Sequence, residues 1–231
     1  MCRIISILFI VITFASCGGS ETTTNTATSD STIAESNINI LKIGDITFEI
    51  SKCSKEECEN YPDEEKIDTN ERRRILIDSS KVKRVGDSLI ISTKRKRVVF
   101  VNFMDGMDGT EGREYHYLYF DEKHNVWVVQ GLYWEFADAI LVDNENGDTV
   151  NVFDLYSFSP DAKYIFGASN AEMNGYGQIL EKINGHYQKI AEEVELNWIP
   201  EQVKWIDKKS ILISTYPIDD KGREYIKLTM K

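Results

Sequence analysis

The chain has 231 residues, with 38 acidic against 27 basic side chains and a formal net charge of -11. That balance argues against nucleic acid as a partner and against broad contact with anionic lipid headgroups, and it favours solubility. The length suffices for one large β domain with a hydrophobic core.

Met1 to Ser16 carries one cation, Arg3, followed by an apolar run from Ile4 to Ala15 that only Ser6 and Thr13 interrupt. Such a core is too short to cross roughly 30 Å of hydrocarbon as a helix, so residues 1–16 read as a cleaved signal peptide. Phe14-Ala15-Ser16-Cys17 ends the leader with small residues before a cysteine. This arrangement resembles the lipobox of bacterial lipoproteins. The resemblance implies that Cys17 receives a diacylglyceryl group, becomes the first residue of the mature chain and anchors it, palmitate-type acyl chains contributing about 0.8 kcal/mol per buried CH₂. Gly18, where lipoproteins of the inner membrane often carry Asp, implies the outer membrane. Residues 17–37 are then lipidated cysteine and tether, rich in Ser, Thr and Asn and too poor in apolar side chains to offset the entropy of ordering.

The remainder, 38–231, reads as a single β domain. Ile38 to Ile50 alternates apolar and polar residues around Gly44-Asp45, the pattern of a hairpin with a two-residue turn. Residues 51–74 break the pattern with Pro62, dense charge and Arg72-Arg73-Arg74, and are expected to form a surface insertion with at most a short helical turn. Cys53 and Cys58 lie in it. In an exported chain this C-x4-C pair is expected as a disulfide closing a short loop, with free thiols as the alternative. A zinc site would need two further ligands, and His116, His124 and His186 show no paired spacing.

After Arg74 short strands are expected at 75–77, 82–85, 89–92, 98–103, 115–120, 126–130, 139–142 and 150–153. Asn146-Gly147 and Asn184-Gly185 mark tight hairpin turns, and Glu172 to Asn174 and Glu192 to Glu195 suit single helical turns. Val82 to Thr93, Val203 to Thr215 and, less closely, Tyr156 to Ser169 share one pattern: alternating apolar residues, a polar turn, then an apolar strand. Tyr117 to Val129 fits it loosely. The four turns begin near 86, 121, 160 and 207, at the period of propeller blades. Ser159-Pro160-Asp161-Ala162-Lys163-Tyr164-Ile165 is similar to the Ser-Pro-Asp-Gly-Lys turn of TolB-like and WD-repeat-like propellers, with Ala162 in place of Gly. The resemblance implies an all-β fold of propeller-like repeated hairpin modules, in a small or incomplete propeller. A twisted open sheet or a β-sandwich is the alternative. It implies architecture and no activity.

Nucleophile-elbow, zinc-protease, phosphate-loop and dinucleotide motifs are absent from the sequence, so a non-enzymatic role without cofactor is expected. Asp105, Asp108 and Glu111, spaced by three among glycines, form a candidate cation loop, although Met107 departs from the EF-hand order and no metal is assigned. Tyr115, Tyr117 and Tyr119 would share one face of a strand and form a candidate aromatic binding face if the other face is the core, or ordinary core packing if both faces are covered. The basic run Lys94 to Arg97 reads as a solvated hairpin tip. The expected function is an envelope-anchored protein-binding or scaffolding domain, the alternative a glycan-binding or glycan-processing surface protein. Its expected partners are the membrane through the anchor, another envelope protein or a glycan, and no nucleic acid.

Overall fold

The computed structural model describes residues 39–59, 70–103, 112–171, 174–216 and 223–231. In chain order the elements are β1 (Asn39–Ile43), β2 (Ile46–Lys52), α1 (Lys55–Glu59), α2 (Glu71–Ile77), β3 (Val82–Val85), β4 (Ser88–Ser92), β5 (Arg97–Val101), β6 (Arg113–Asp121), β7 (Val126–Tyr133), β8 (Ala137–Asp143) and β9 (Thr149–Phe153). They continue as β10 (Leu155–Phe158), β11 (Tyr164–Ser169), β12 (Gly175–Ile183), β13 (His186–Lys189), β14 (Val194–Leu196), β15 (Ile199–Trp205), β16 (Ser210–Tyr216) and β17 (Glu224–Met230). The fold is all-β, and the described residues form four antiparallel sheets of which none closes into a barrel.

Three sheets are built from consecutive strands: β3-β4-β5 (the second sheet), β6 to β9 (the third) and β10 to β13 with β14 on the outer edge of β12 (the fourth). The remaining one, the closing sheet, has the order β1-β2-β17-β16-β15, so the hairpin β1-β2 pairs with the last strand through partners such as Ile50 and Leu228. The four look-alike stretches are the hairpins that open the four sheets: β3-β4, β6-β7, β10-β11 and β15-β16.

Three apolar clusters lie between the sheets, because alternate residues of one strand face opposite ways. Ile140 and Val142 face Leu89 and Ile91 of the second sheet, whereas Ala139 and Leu141 face Ile165 and Leu180 of the fourth. Phe166 and Ile179 turn the other way, onto Phe48, Val203, Trp205 and Ile213 of the closing sheet. The third and fourth sheets are therefore covered on both faces. Each fully buried aliphatic side chain in these clusters contributes roughly 1.5–3 kcal/mol.

Three local expectations are corrected. Ile75 to Ile77 is the end of helix α2 rather than a strand. Asn70 caps this helix, its Oδ1 accepting from Arg73 N at 3.3 Å, and tertiary bonds hold it in place. Glu71 accepts from Arg84 Nη2 at 2.7 Å and from the Tyr117 backbone N–H at 2.8 Å, while Arg74 Nε donates to the Tyr117 carbonyl at 2.8 Å. Both backbone groups of Tyr117 are thus taken by α2, and the β6-β7 register shifts between Tyr117 and Tyr119. Glu192 to Glu195 is no helical turn either, since Val194 and Glu195 belong to β14. Of the turns, Asn184-Gly185 has positive φ at both positions, but the link at Asn146-Gly147 spans five residues and only Gly147 is left-handed.

In the Ser159 to Lys163 turn, Ser159 is fully buried; its Oγ donates to Asp161 Oδ1 at 2.8 Å and accepts from Tyr164 N at 2.9 Å. Ala162 adopts φ 56°, the left-handed region in which glycine carries no Cβ penalty.

Candidate functional site

Between the third and fourth sheets a cleft of about 490 Å³ opens beyond the apolar cluster that joins them. Its size falls in the range of small-molecule sites, roughly 300–1,000 Å³. The turn between β7 and β8 supplies Glu135 and Phe136, β8 supplies Asp138, β9 supplies Asn151 and Phe153, and β12 supplies Tyr176 and Gln178. Lys189 and Glu193 complete it from the edge of the fourth sheet, the Lys189 ammonium donating to Glu193 Oε1 at 2.6 Å.

Asp138 and Gln178 are the buried, incompletely paired side chains of this cleft, whereas Glu135, Asn151, Lys189 and Glu193 are exposed. Asp138 is 8 % and Gln178 1 % exposed. Asn151 Nδ2 donates to Asp138 Oδ2 at 2.5 Å, which fixes the carboxylate, but Asp138 Oδ1 and Gln178 Oε1 have no hydrogen-bond partner. Native proteins seldom leave such acceptors unmet, because each forfeits about 1–3 kcal/mol of hydration. Burial pushes the Asp138 carboxyl above its usual range, against the Asn151 amide and the Tyr133 hydroxyl beside it. Burial together with the nearby carboxylate in turn raises the Tyr133 phenol to about 12.

Two strand glycines make room for these side chains. A Cβ on Gly131 would lie 2.5 Å from Asp138 Oδ1, and one on Gly167 would lie 3.0 Å from Gln178 Nε2 and 2.8 Å from Val152 Cγ2. Glycine inside a strand lacks a side chain to pack and often marks a close approach. Here the approach is of polar groups into a cavity. The same β7-β8 turn carries Trp134, 64 % exposed, and Phe136, 53 % exposed and stacked on Tyr133 at 4.5 Å. With Glu135, Asp138 and Glu193 against Lys189, the cleft bears net negative charge.

Of the residues singled out from sequence, those that are described do not line this cleft. Cys17 and the candidate cation loop at Asp105, Asp108 and Glu111 lie outside the described residues. Among the described residues no group of three His, Cys, Asp or Glu side chains is placed to hold a metal ion. Tyr115, Tyr117 and Tyr119 do not form an exposed face: Tyr117 is fully buried with its hydroxyl on Asp78 Oδ2 at 2.6 Å, and the bulge sends Tyr119 to a different cluster from Tyr115. Cys53 and Cys58 place their sulfurs 2.9 Å apart, beyond the roughly 2.05 Å of a disulfide, and are thiols in contact. Burial raises both, Cys58 to about 12, so neither is an activated nucleophile.

The histidines are engaged elsewhere. His124 Nδ1 lies 2.6 Å from Asp121 Oδ2 and its ring stacks on Phe158, His116 faces Glu114 at 3.3 Å, and His186 meets the Asn146 amide at 3.0 Å. At the basic tip, Lys94 and Lys96 pair with Glu145 and Asp148 across the neighbouring hairpin, which offsets two of its four cations.

Two sequence signals point to the cleft in retrospect: a lone acid, Asp138, inside the apolar run Ala137 to Val142, and Gln178 inside the glycine-bearing stretch Gly175 to Leu180. Comparison with known protein families, with curated proteins and with solved structures finds no match.

Proposed function

We propose that the chain is a bacterial envelope lipoprotein, anchored through acylated Cys17 to the outer membrane, whose β domain is a non-enzymatic binding module that takes a small polar ligand between the third and fourth sheets. The observation that carries this reading is the cleft itself, about 490 Å³ and lined by the buried side chains of Asp138 and Gln178 beside Asn151, Phe136, Phe153 and Tyr176. Fixed Asn151 and Asp138 would orient the ligand, and Phe136, Phe153 and Tyr176 would cover its apolar part. Among the described residues no helix is long and apolar enough to cross a membrane.

The same proposal takes the four sheets as blades of a small propeller, open between the second sheet and the closing sheet. It is supported by one look-alike hairpin per sheet, by the pairing of both ends of the described domain in one sheet, and by the apolar clusters that join the second sheet to the third, the third to the fourth and the fourth to the closing sheet. The test of the binding reading is a thermal-shift screen of small polar metabolites on the full chain and on Asp138→Asn. Ligands that stabilise only the native chain support it, and a screen in which every hit acts equally on both contradicts it.

A second reading, docking of another envelope protein, is favoured by the exposed apolar stripe of Val85, Val99 and Val101 on the outer face of the second sheet, with Phe103 beyond it. It predicts that Val99→Glu with Val101→Glu abolishes cross-linking to a partner and leaves ligand stabilisation unchanged.

A further inference from the structure

We infer that the second sheet takes a fourth strand from another protein, an extended acidic segment that pairs along β5, an inference that rests on the second reading of the outer face of that sheet as a docking surface. Among the described residues the second sheet has three strands where the others have four or five, and β5 forms its outer edge.

The register fixes which backbone groups of that edge are open. Thr93 N donates to Lys96 O at 3.0 Å and Asn102 N donates to Asp87 O at 2.8 Å, at the two ends of the β4-β5 ladder. Bonding alternates residue by residue in an antiparallel pair, so Val98 and Phe100 bond to β4 as Lys96 and Asn102 do. The N–H and C=O groups of Arg97, Val99 and Val101 therefore point away from β4, and no backbone partner meets them among the described residues. Phe103, next in the same series, shows what this edge accepts: it exchanges backbone hydrogen bonds with Arg113 at 2.9 and 2.8 Å. There β6 leaves the edge, its Tyr115 N–H going to the Asn102 side chain at 2.9 Å. The chain itself begins a fourth ladder and gives it up before Val101.

Donors and acceptors that recur about every 6.8 Å, two residues of strand, match an extended polypeptide. A lipid surface offers no such ladder and would leave those backbone groups unmet. Edge strands are ordinarily blunted by a bulge, a proline or charge. Here β5 pairs without a register shift, contains no proline and places its one charge, Arg97, at its end, while Val99 and Val101 are 51 % and 52 % exposed. Charge selects the segment. Residues 70–103 hold ten of the 27 cations and three of the 38 acids, a local +7 in a chain of -11. Lys83 and Arg97 share the outer face with the valines, and neither has an acidic partner among the described residues. Edge-to-edge pairing with a second copy would set like charges together, whereas an acidic segment meets Arg97 with a carboxylate and the valines with β-branched side chains.

The experiment is fluorescence-polarisation titration of the full chain in a zwitterionic detergent. The probes are the labelled peptide Thr-Ser-Val-Thr-Val-Thr-Glu-Thr-Glu, its reversed sequence for the parallel orientation, and both with Lys in place of Glu. Expected is a Kd below about 1 mM for one acidic peptide, with its Lys counterpart at least about tenfold weaker. Val99→Pro removes an outward N–H and keeps every bond to β4, so melting is unchanged and the peptide binds about tenfold or more weakly, whereas Val99→Thr retains it. N-methylation of the peptide's valines tests the same ladder from the other side and abolishes binding, whereas N-methylation of the threonine between them does not. If Val99→Pro and the N-methylated valines leave binding unchanged, or if neither acidic peptide binds at 1 mM, the strand inference is overturned. It is likewise overturned if phosphatidylglycerol bicelles bind in place of the peptides. In each case the docking reading stands as long as Val99→Glu with Val101→Glu abolishes cross-linking to a partner. If that double variant cross-links as the native chain does, both are overturned.

Discussion

Glu71→Ala removes the carboxylate on which helix α2, Arg84 and the bulge of β6 converge. It strands the Arg84 guanidinium and the Tyr117 N–H, at a pair whose Arg84 and Glu71 side chains are 22 % and 17 % exposed. Breaking a buried pair by deleting one partner destabilises by about 3–5 kcal/mol, and the partial exposure here sets the expectation near the lower end, about 3 kcal/mol. Against a total stability of roughly 5–15 kcal/mol that is a large shift of the urea midpoint. Deleting Arg84 as well, with Arg84→Met, removes the stranded charge, so the double variant should lose less than the sum of the singles by about 1–3 kcal/mol. The pH dependence gives an independent check. Burial alone would raise the Glu71 carboxyl, but the hydrogen bonds from Arg84 and the Tyr117 N–H outweigh it and hold the group below the usual glutamate range. A carboxyl held low in the folded state stabilises fully above its unfolded value, and that contribution is lost as pH falls through the folded value. The stability difference between native chain and Glu71→Ala should therefore shrink below about pH 4. Urea unfolding of the four proteins of the cycle at pH 7, with the native and Glu71→Ala chains repeated at lower pH, measures all of this. A loss under about 1 kcal/mol at pH 7, or additive single variants, would refute the reasoning.

Asp138→Asn should raise the melting temperature at pH 7 by about 2–4 °C, some 1 kcal/mol, since a carboxyl raised by burial opposes folding once pH exceeds its unfolded value. The gain should vanish at more acid pH, and a lower melting temperature at pH 7 contradicts the assignment. Gly131→Ala drives a Cβ into the space of Asp138 Oδ1 and the Tyr133 hydroxyl, so calorimetry should show a loss of about 1–3 kcal/mol together with lost ligand stabilisation. Ala162→Gly should stabilise by about 0.5–1 kcal/mol in chemical denaturation, because the left-handed strain it relieves exceeds the added freedom of the unfolded chain. Oxidised glutathione should convert Cys53 and Cys58 to a disulfide, read as a loss of about 2 Da and of both titratable thiols, with a stabilisation of about 2 kcal/mol; persistence of the thiols contradicts it.

How far the fold was legible depended on how local its causes are. The four hairpins β3-β4, β6-β7, β10-β11 and β15-β16 stand where period-2 alternation and turn residues place them, because both signals are carried by adjacent residues. Helix α2 was not legible. Its Ile75-Leu76-Ile77 run suits a strand, and what makes it helical is the Asn70 cap together with side chains that reach Tyr117, more than forty residues away. The same reach breaks the tyrosine ladder, since capture of the Tyr117 N–H and carbonyl by Glu71 and Arg74 accompanies a bulge that strand alternation cannot announce. The cleft was hidden for a related reason. Asp138 and Gln178 are polar residues inside the buried stretches 138–142 and 177–180 of their strands, and only the packing of two sheets brings them to one cavity.

The central claim, that the cleft at Asp138 and Gln178 is where this domain takes its ligand, is tested most directly by NMR shift mapping on isotopically labelled full-length chain, with the tightest ligand from the screen. The Asn151 and Gln178 side-chain amides serve as reporters within the cleft. The predicted result is saturable shifts of those amides and of the Asp138 and Tyr176 backbone signals, all lost in Asp138→Asn. Shifts confined to Val99 and Val101 on the second sheet, or shifts at the cleft that persist in the variant, would contradict it.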